Sequence, residues 1–303
     1  NDIQYTRPTF FITVPRLWAK FQSSILAKIP ERRVQLLLKI PIIGRSVAHK
    51  IRKQMGFECC RLYLSGTAPI PPNLLRWYQK LGINIGEGWG MSETAGAACV
   101  NVPFKASRLG TIGVPYPSIE LKTGENDELL IRGPSIFSHY FNSPDKTAES
   151  FEDGWFKTGD KAEQTEDGAW KIIGRTKDQF KTAKGKYVTP TPIENLLGAS
   201  AIIEQCCVIG EDLPQPVGLI VLADLELTRE AIENELKQTL KNTNSTLESH
   251  QKLDHLIVLV EAFSPENDLL TPTLKIRRSK IEERYKTLSH QAMQSAIVWE
   301  NSA

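Results

Sequence analysis

The sequence predicts an α/β domain in residues 1–176 and a small α+β domain in residues 177–303. Strand patterns alternate with helical patterns up to Gly174-Arg175, whereas the later residues combine strands with one long amphipathic helix. A chain of 303 residues, of which 41% are hydrophobic, is also long enough to bury the cores of two domains.

Charge and cysteine content exclude several classes of protein. Thirty-seven basic residues face 35 acidic ones, so we expect no nucleic-acid partner. No signal peptide opens the sequence, and the apolar run at residues 34–43 is far shorter than the ~20 residues of a membrane-spanning helix. The cysteines lack C-x-x-C spacing, which favours buried, reduced thiols and a cytoplasmic protein; they are Cys59, Cys60, Cys99, Cys206 and Cys207.

The first elements are helices in the basic residues 14–55. Leu17, Phe21 and Ile25 follow helical spacing, and Pro30 and Pro41 break the pattern. A core-facing helix pair with a solvated basic side fits this segment, and peripheral contact with a membrane surface is the alternative. Because the chain starts without Met and in the middle of a domain-like sequence, we expect it to be an incomplete portion of a longer protein.

Strands and helices then alternate. Pro72 begins a helix that Gly82 ends. The glycine-rich segment 86–94 follows a strand, and we predict a loop there that leads into a helix. The predicted strands of this domain lie at residues 61–64, 83–85, 119–122, 128–132 and 170–173.

The second domain is predicted to place one helix between two strands. Thr228 caps this helix, and Ile232, Leu236 and Leu240 lie on its apolar face. Strand patterns occur at residues 206–209, 218–223 and 256–260.

Segment 86–94 also carries the first sign of chemistry. Its glycines let backbone amides approach an anion, Ser92 adds a hydroxyl, and Glu93 adds a carboxylate suited to Mg²⁺. This combination suits a nucleotide polyphosphate with its metal ion. The alternatives are a tight turn and a dinucleotide loop, but the glycine spacing is not G-x-G-x-x-G and no acidic residue follows at the distance that a ribose contact needs.

Six ordered segments give the sequence its most specific signal. They resemble the later core motifs of the adenylate-forming superfamily, which includes acyl-CoA synthetases, peptide-synthetase adenylation domains and luciferases. Residues 8–18 and 177–181 are most similar to the long-chain fatty acyl-CoA synthetase branch. The six segments are Ser65-Gly66-Thr67-Ala68-Pro69-Ile70, Gly88-Trp89-Gly90-Met91-Ser92-Glu93-Thr94, Glu128-Leu129-Leu130-Ile131-Arg132-Gly133, Trp155-Phe156-Lys157-Thr158-Gly159-Asp160, Gly174-Arg175-Thr176-Lys177-Asp178 and Thr271-Pro272-Thr273-Leu274-Lys275.

The resemblance implies a nucleotide site in the first domain. It places Gly66, Thr67, Ala68 and Pro69 against adenine, and it places Trp89 on the base from the glycine-rich loop that holds Gly88 and Gly90. Ser92 would hold a phosphate beside Glu93, the metal ligand. Asp160 would accept both ribose hydroxyls and Arg175 would donate to the ribose and phosphate, although turn chemistry for Asp160 and a surface ion pair for Arg175 are alternatives.

The resemblance also implies that the second domain is mobile. Lys275 would stabilise negative charge during adenylation, although it could instead be one more solvated cation. Lys177 corresponds to the hinge residue, Lys181 belongs to the nucleotide-binding set, and Gly185 would line the tunnel for the CoA thiol.

The implied reaction is an ATP-dependent ligation. A fatty or other carboxylic acid would react with ATP and Mg²⁺ to give acyl-AMP, and CoA would then take the acyl group. The family's Ser/Thr/Gly-rich phosphate loop is not found in residues 1–60, so we expect the isolated chain to be inactive. The alternatives are a pseudoenzyme or fragment that keeps nucleotide or partner binding, and a ligase that acylates a carrier protein.

Overall fold

The computed structural model describes residues 2–29, 31–223, 227–291 and 295–302. The chain forms two compact units, which meet between Ile172 and Ile173. The predicted domain boundary between residues 176 and 177 stays a prediction. Pro30, predicted to break the first helices, lies outside the described residues.

The first unit opens with a mixed sheet of order β1-β2-β3-β4-β5. β1, β2 and β3 run parallel, whereas β4 and β5 continue the sheet antiparallel. The strands are β1 (Phe10–Thr13), β2 (Leu62–Ser65), β3 (Ile85–Met91), β4 (Gly96–Val100) and β5 (Val114–Pro115).

Helices cover this sheet because their apolar faces need burial. Trp18, Ile51 and Tyr78, from three different helices, lie in one core with the strand residues Tyr63 and Ile85. The helices are α1 (Asp2–Thr6), α2 (Pro15–Leu26), α3 (Glu31–Lys39), α4 (Pro41–Met55) and α5 (Pro72–Lys80). The helical prediction for residues 14–55 and the helix start at Pro72 are therefore confirmed.

A second sheet of order β10-β9-β7-β6 completes the unit, with β8 paired to β9. The pairing of β7 with β9 shifts register between Glu128 and Leu130, so Thr158, Gly159 and Asp160 lie opposite Leu129. This irregularity is a β-bulge, and Gly159 adopts φ +73° within it. The elements are β6 (Glu120–Thr123), β7 (Glu128–Arg132), α6 (Pro144–Ser150), β8 (Phe151–Glu152), β9 (Trp155–Gln164) and β10 (Trp170–Arg175).

The second unit is a sheet of order β13-β14-β15-β16 with helices, preceded by the β11–β12 hairpin. The Thr228 hydroxyl accepts a hydrogen bond from Ala231 N at 3.3 Å and so caps α8, as predicted. Leu236 and Leu240 are buried residues on the inner face of that helix. The elements are β11 (Phe180–Lys181), β12 (Tyr187–Val188), α7 (Pro190–Leu197), β13 (Ile203–Ile209), β14 (Val217–Leu222), α8 (Arg229–Ser245), β15 (Leu256–Val258), α9 (Arg278–Ser289) and β16 (Ile297–Trp299).

Two further predictions concern thiols and membranes. All five cysteines are free thiols, as predicted. Only Cys99 and Cys207 are buried as we expected, whereas Cys60 and Cys206 are partly buried and Cys59 is exposed. None of the helices in the described part of the chain is both long and apolar enough to cross a bilayer.

Candidate functional site

The first part of the candidate site lies where β2 ends beside β3. Gly66 follows β2 directly, and a Cβ on Gly66 would lie 3.5 Å from the carbonyl oxygen of Gly88. Thr67 has φ +70°, and the chain turns there so that Thr67, Ala68 and Pro69 are exposed. The turn therefore presents residues 66–69 at the carboxyl end of a parallel strand pair, where ligands bind in open α/β sheets.

The glycine-rich segment is a strand, so the predicted loop leading into a helix is wrong. β3 runs through Met91, turns at the 3₁₀ segment Ser92–Thr94, and returns as β4. A Cβ on Gly90 would lie 1.8 Å from the Gly96 oxygen, so the hairpin closes only because residue 90 is glycine. The Thr94 hydroxyl lies 2.6 Å from the same oxygen, which stabilises the turn and leaves Ser92 exposed.

Asp160 lies within strand β9, directly after the bulge residue Gly159. The bulge in β9 directs its carboxylate, which is only 7% exposed, toward β3. There the indole Nε1 of Trp89 donates a hydrogen bond to Asp160 Oδ2 at 2.8 Å. An ionised carboxylate offers about four acceptor positions, so it can bind the indole and a diol together.

Trp89 has a second environment that its sequence did not predict. Its side chain packs against two clusters of buried residues, one that contains Ala98 and Ile131 and one that contains Leu129. The indole is therefore held on one side by the core and on its polar edge by Asp160, so its orientation is fixed.

Glu93 is held in place by a residue that the sequence analysis missed. The Tyr140 hydroxyl donates to Glu93 Oε1 at 2.9 Å, and Phe137 N donates to the Glu93 carbonyl at 2.9 Å. Burial and the neighbouring Glu93 carboxylate raise the pKa of Tyr140. Tyr140 lies 47 positions from Glu93, and no spacing pattern links them. The carboxylate thus has a fixed position and retains acceptor capacity for a cation.

The glycine-rich strand β3 also carries a partly buried carboxyl group, that of Glu87. Glu87 Oε2 accepts a hydrogen bond from Gly110 N at 2.7 Å. Burial nevertheless raises the pKa of Glu87 to about 8, and the hydrogen bond from Gly110 lowers it only in part. The Glu87 side chain therefore links β3 to the loop at Gly110.

In the second unit, Lys181 and Gly185 lie on the β11–β12 hairpin. The Lys181 ammonium is 5.8 Å from the centre of the Tyr187 ring, and Gly185 has φ +75° in the connecting turn. Lys177 lies in the 3₁₀ segment Thr176–Asp178, directly after Arg175 ends β10.

Lys275 lies on a separate, closed loop. Its backbone N donates to the Thr271 hydroxyl at 3.0 Å, and Thr271 N donates to the Lys275 carbonyl at 2.8 Å. Leu274 has φ +62°, and Lys275 is exposed. The loop therefore presents the ammonium group on a fixed backbone.

Three residues after Lys275, a buried ion pair anchors this loop. Arg278 Nη1 donates to the Val208 carbonyl at 2.7 Å, and Nη2 donates to Glu194 Oε2 at 3.0 Å. Glu194 Oε1 in turn accepts a hydrogen bond from Val208 N at 2.8 Å. The pair connects the start of α9 to α7 and β13, and sequence reasoning did not identify it.

Comparison with protein families decides what these elements belong to. Residues 1–141 match the AMP-binding enzyme family, and residues 177–295 match the AMP-binding enzyme C-terminal domain. The chain belongs to the AMP-binding enzyme family. The resemblance to adenylate-forming enzymes is therefore confirmed.

Relatives of this AMP-binding enzyme include several long-chain ligases. Long-chain-fatty-acid–CoA ligase FadD15 of Mycobacterium bovis is 32% identical over 270 residues, which cover 82% of this chain and 44% of that protein. Long chain acyl-CoA synthetase 2 of Arabidopsis thaliana is 29% identical, with 98% of this chain and 53% of that protein covered. The AMP-binding enzyme chain thus spans about half the length of these relatives.

Solved structures agree on the fold. The anthranilate CoA ligase AuaEII in complex with anthranoyl-AMP superposes with a TM-score of 0.73 at 22% identity, over 95% of this chain and 52% of that one. The O-succinylbenzoate coenzyme A synthetase of Bacillus subtilis in complex with AMP gives 0.66 at 20% identity, over 93% and 52% of the two chains. The predicted fold class of this AMP-binding enzyme is therefore confirmed.

Proposed function

We propose that the protein carrying this chain is an ATP-dependent ligase that joins a fatty acid to CoA through an acyl-adenylate, releasing AMP and pyrophosphate. One observation carries the proposal. The first unit brings Gly66–Pro69, the glycine-rich strand and Asp160 to one end of its sheets, although they are far apart in the sequence. The names of the long-chain relatives support a fatty acid as the substrate and CoA as the acceptor.

The nucleotide is proposed to bind along these residues. Gly66, Thr67, Ala68 and Pro69 form the exposed turn against which adenine lies. Asp160 accepts the ribose hydroxyls, because a carboxylate offers two acceptor oxygens to neighbouring hydroxyl groups. Trp89 contributes both its ring and the hydrogen bond that orients Asp160.

The phosphates and their cation are proposed to lie at the turn of the β3–β4 hairpin. Ser92 holds a phosphate, and Glu93, with Oε1 bonded to Tyr140, is the protein ligand of Mg²⁺. Among the described residues no group of three or more His, Cys, Asp or Glu side chains could hold a metal ion. One carboxylate fits Mg²⁺, which commonly takes one or two carboxylates and completes its shell with phosphates and water.

The second unit is proposed to supply the remaining groups. Attack of a carboxylate on the α-phosphate brings two anions together, so the Lys275 ammonium stabilises the transition state electrostatically and transfers no proton. Arg175 and Lys181 contribute to nucleotide binding, Lys177 acts as a hinge, and Gly185 lines the thiol path. The cytoplasmic location and the absence of a nucleic-acid partner stay predictions.

The experiment measures the two half-reactions separately in the complete protein. Fatty-acid-dependent exchange of pyrophosphate into ATP reports adenylation, and CoA-dependent consumption of supplied acyl-AMP reports thioester formation. Lys275→Ala is expected to lower adenylation by about 10²- to 10³-fold, as for a lost electrostatic donor, while thioester formation survives.

The matched control is Lys280→Ala, which removes an exposed cation five positions away that pairs with Glu283 at 3.1 Å. It should leave both half-reactions near the starting rates. A protein with no acid-dependent exchange at all would overturn the proposed ligase, whereas exchange that persists in Lys275→Ala would overturn only the role of Lys275.

A further inference from the structure

The segment that joins α3 to α4 exposes four aliphatic side chains. Leu36 is 64% exposed, Ile40 44%, Ile42 82% and Ile43 45%. Single exposed aliphatic residues are ordinary, but four within eight positions at one helix junction form a patch.

α4 has two distinct faces. Gly44, Ala48 and Ile51 are buried on the side toward the sheet. At about 100° per residue, Ile42, Ser46, His49 and Lys53 lie on the opposite side, and all four are exposed. The inner face already satisfies the need of α4 for a core, so folding of this unit does not account for the outward isoleucines.

The same segment concentrates positive charge. Residues 14–55 contain ten Lys and Arg and one acidic residue, Glu31, of the 37 and 35 in the whole chain. The rest of the chain therefore has 27 basic and 34 acidic residues and is net acidic. The same two helices carry exposed cations: Arg33, Lys39, Arg45, Lys50 and Lys53.

We propose that this surface, formed by the exposed residues from Arg33 to Lys53, docks on an anionic phospholipid bilayer. Basic side chains attract acidic headgroups, while aliphatic side chains at the helix junction enter the interfacial layer. A nucleic acid would bind the basic side chains through its phosphates, but it would leave the aliphatic side chains without an apolar partner. A two-fold pair of identical copies would oppose two basic surfaces, which like-charge repulsion disfavours.

Membrane docking goes beyond the ligase reaction, since it involves neither the nucleotide residues nor Lys275. It also has a use for a ligase that acts on fatty acids. A long-chain acid partitions into bilayers, so a docked enzyme would meet its substrate at the interface.

The experiment is sedimentation of the complete protein with vesicles of phosphatidylcholine alone or with about one third phosphatidylserine. We expect at least about tenfold tighter binding to the anionic vesicles, lost as salt rises, because each basic residue near the surface contributes about fivefold. Ile42→Asp is expected to weaken binding about tenfold by removing an inserted side chain.

The matched control is Val260→Asp, which places the same charge at an aliphatic residue that is 63% exposed in the other unit. It should bind like the unsubstituted protein, and both variants should keep its unfolding temperature and its activity on a water-soluble acid. Equal binding to both vesicle types, absence of binding, or equal loss in both variants would overturn the proposal. Absence of binding with activity intact would leave the proposed ligase standing.

Discussion

At the scale of single residues, the bond between Trp89 and Asp160 links the two sheets of the first unit. β3 belongs to the first sheet and β9 to the second, and the indole N–H spans them at 2.8 Å. A hydrogen bond to a charged group contributes about 1.5–3 kcal/mol when buried, more than a neutral one. A tyrosine or phenylalanine ring would keep a stacking face but would lose the indole donor.

Trp89→Phe should therefore affect the proposed ribose site more than the proposed adenine site. We expect the KM for ATP to rise about tenfold, and we expect the preference for ATP over 2′-deoxy-ATP to shrink, because Asp160 loses its orienting donor. Steady-state adenylation with both nucleotides measures this change. Trp155→Phe, on the same strand as Asp160, is the control; an equal effect from it would show that the change does not arise from the Trp89–Asp160 hydrogen bond.

Glu87 makes the stability of the first unit depend on pH. Its pKa is about 8 in the folded chain against an ordinary value of 4.5, so the unfolded chain ionises first. The contribution of Glu87 to stability is therefore present below pH 4.5 and is lost as pH rises to about 8, by at most ~1.4 kcal/mol per pH unit.

Glu87→Gln removes this ionisation and keeps an acceptor for Gly110 N. The variant should gain unfolding free energy relative to the unsubstituted protein as pH rises from 5 to 8, as urea unfolding at several pH values would measure. Glu163→Gln, an exposed residue on β9 paired with Lys171, should give no such trend. Parallel stability curves for Glu87→Gln and the unsubstituted protein would refute the assignment.

At the scale of elements, the Arg278–Glu194 pair fixes the loop that carries Lys275. Arg278 is the first residue of α9 and Glu194 lies in α7, so two helices and the strand end at Val208 meet at one buried guanidinium. An arginine left without its carboxylate in such a place is costly, because the buried charge loses its compensation.

Glu194→Ala should lower the unfolding free energy of the second unit by about 3–5 kcal/mol. Native-state hydrogen exchange of the backbone amides in the second unit would measure this loss. Glu120→Ala breaks the exposed pair with Arg132 instead and should change little, because solvent screens that pair. If Glu194→Ala lost as little unfolding free energy as Glu120→Ala, Arg278 would have found another partner.

Sequence patterns predicted these elements unevenly. α8 was predicted with its Thr228 cap because a capping side chain acts on its own neighbouring backbone. β3 was wrongly predicted as a loop because glycine has a low intrinsic preference for strands. Only the approach of Gly96 to Gly90 shows why glycine belongs there, and that contact depends on the paired strand. β9 was missed for a similar reason. Thr158-Gly159-Asp160 is a sequence typical of a turn, and only the pairing with β7 shows that it forms a bulge within a strand.

The candidate site shows the same division between local and long-range information. Motif order predicted Gly66–Pro69, Ser92, Glu93 and Asp160, and the structure places these residues within the first unit. Tyr140 and Arg278 were missed because they act through contacts with Glu93 and Glu194 that are distant in sequence.

At the scale of the whole molecule, the chain is two units joined near a proposed hinge. The boundary of the units lies between Ile172 and Ile173, and the match to the C-terminal domain begins at residue 177. Arg175 is extended, with φ −121° and ψ 143°, just before the single 3₁₀ turn that contains Lys177. A change of backbone angles in this segment would reorient everything after it.

Lys177→Pro tests this hinge. Proline fixes φ near −65° and restricts Thr176, so a conformational change that needs other angles at this position is blocked. We expect adenylation to survive and thioester formation to collapse, with pyrophosphate released and acyl-AMP accumulating. Loss of both half-reactions with a lower unfolding temperature would indicate a disrupted linker, and no change in either would move the hinge elsewhere.

The bulge in β9 determines which changes in length the strand can tolerate. Between Lys157 and Lys161 the strand advances four residues while its partner, from Leu130 to Glu128, advances two. The surplus is an even number, so Phe156 and Ala162 on either side still face inward although the strand alternates at every residue. Length changes at this point should therefore be tolerated in twos. Deletion of two residues would remove the proposed ribose-binding carboxylate but keep every other side chain on its original face, whereas deletion of one residue would turn the inward-facing side chains of half of the strand outward.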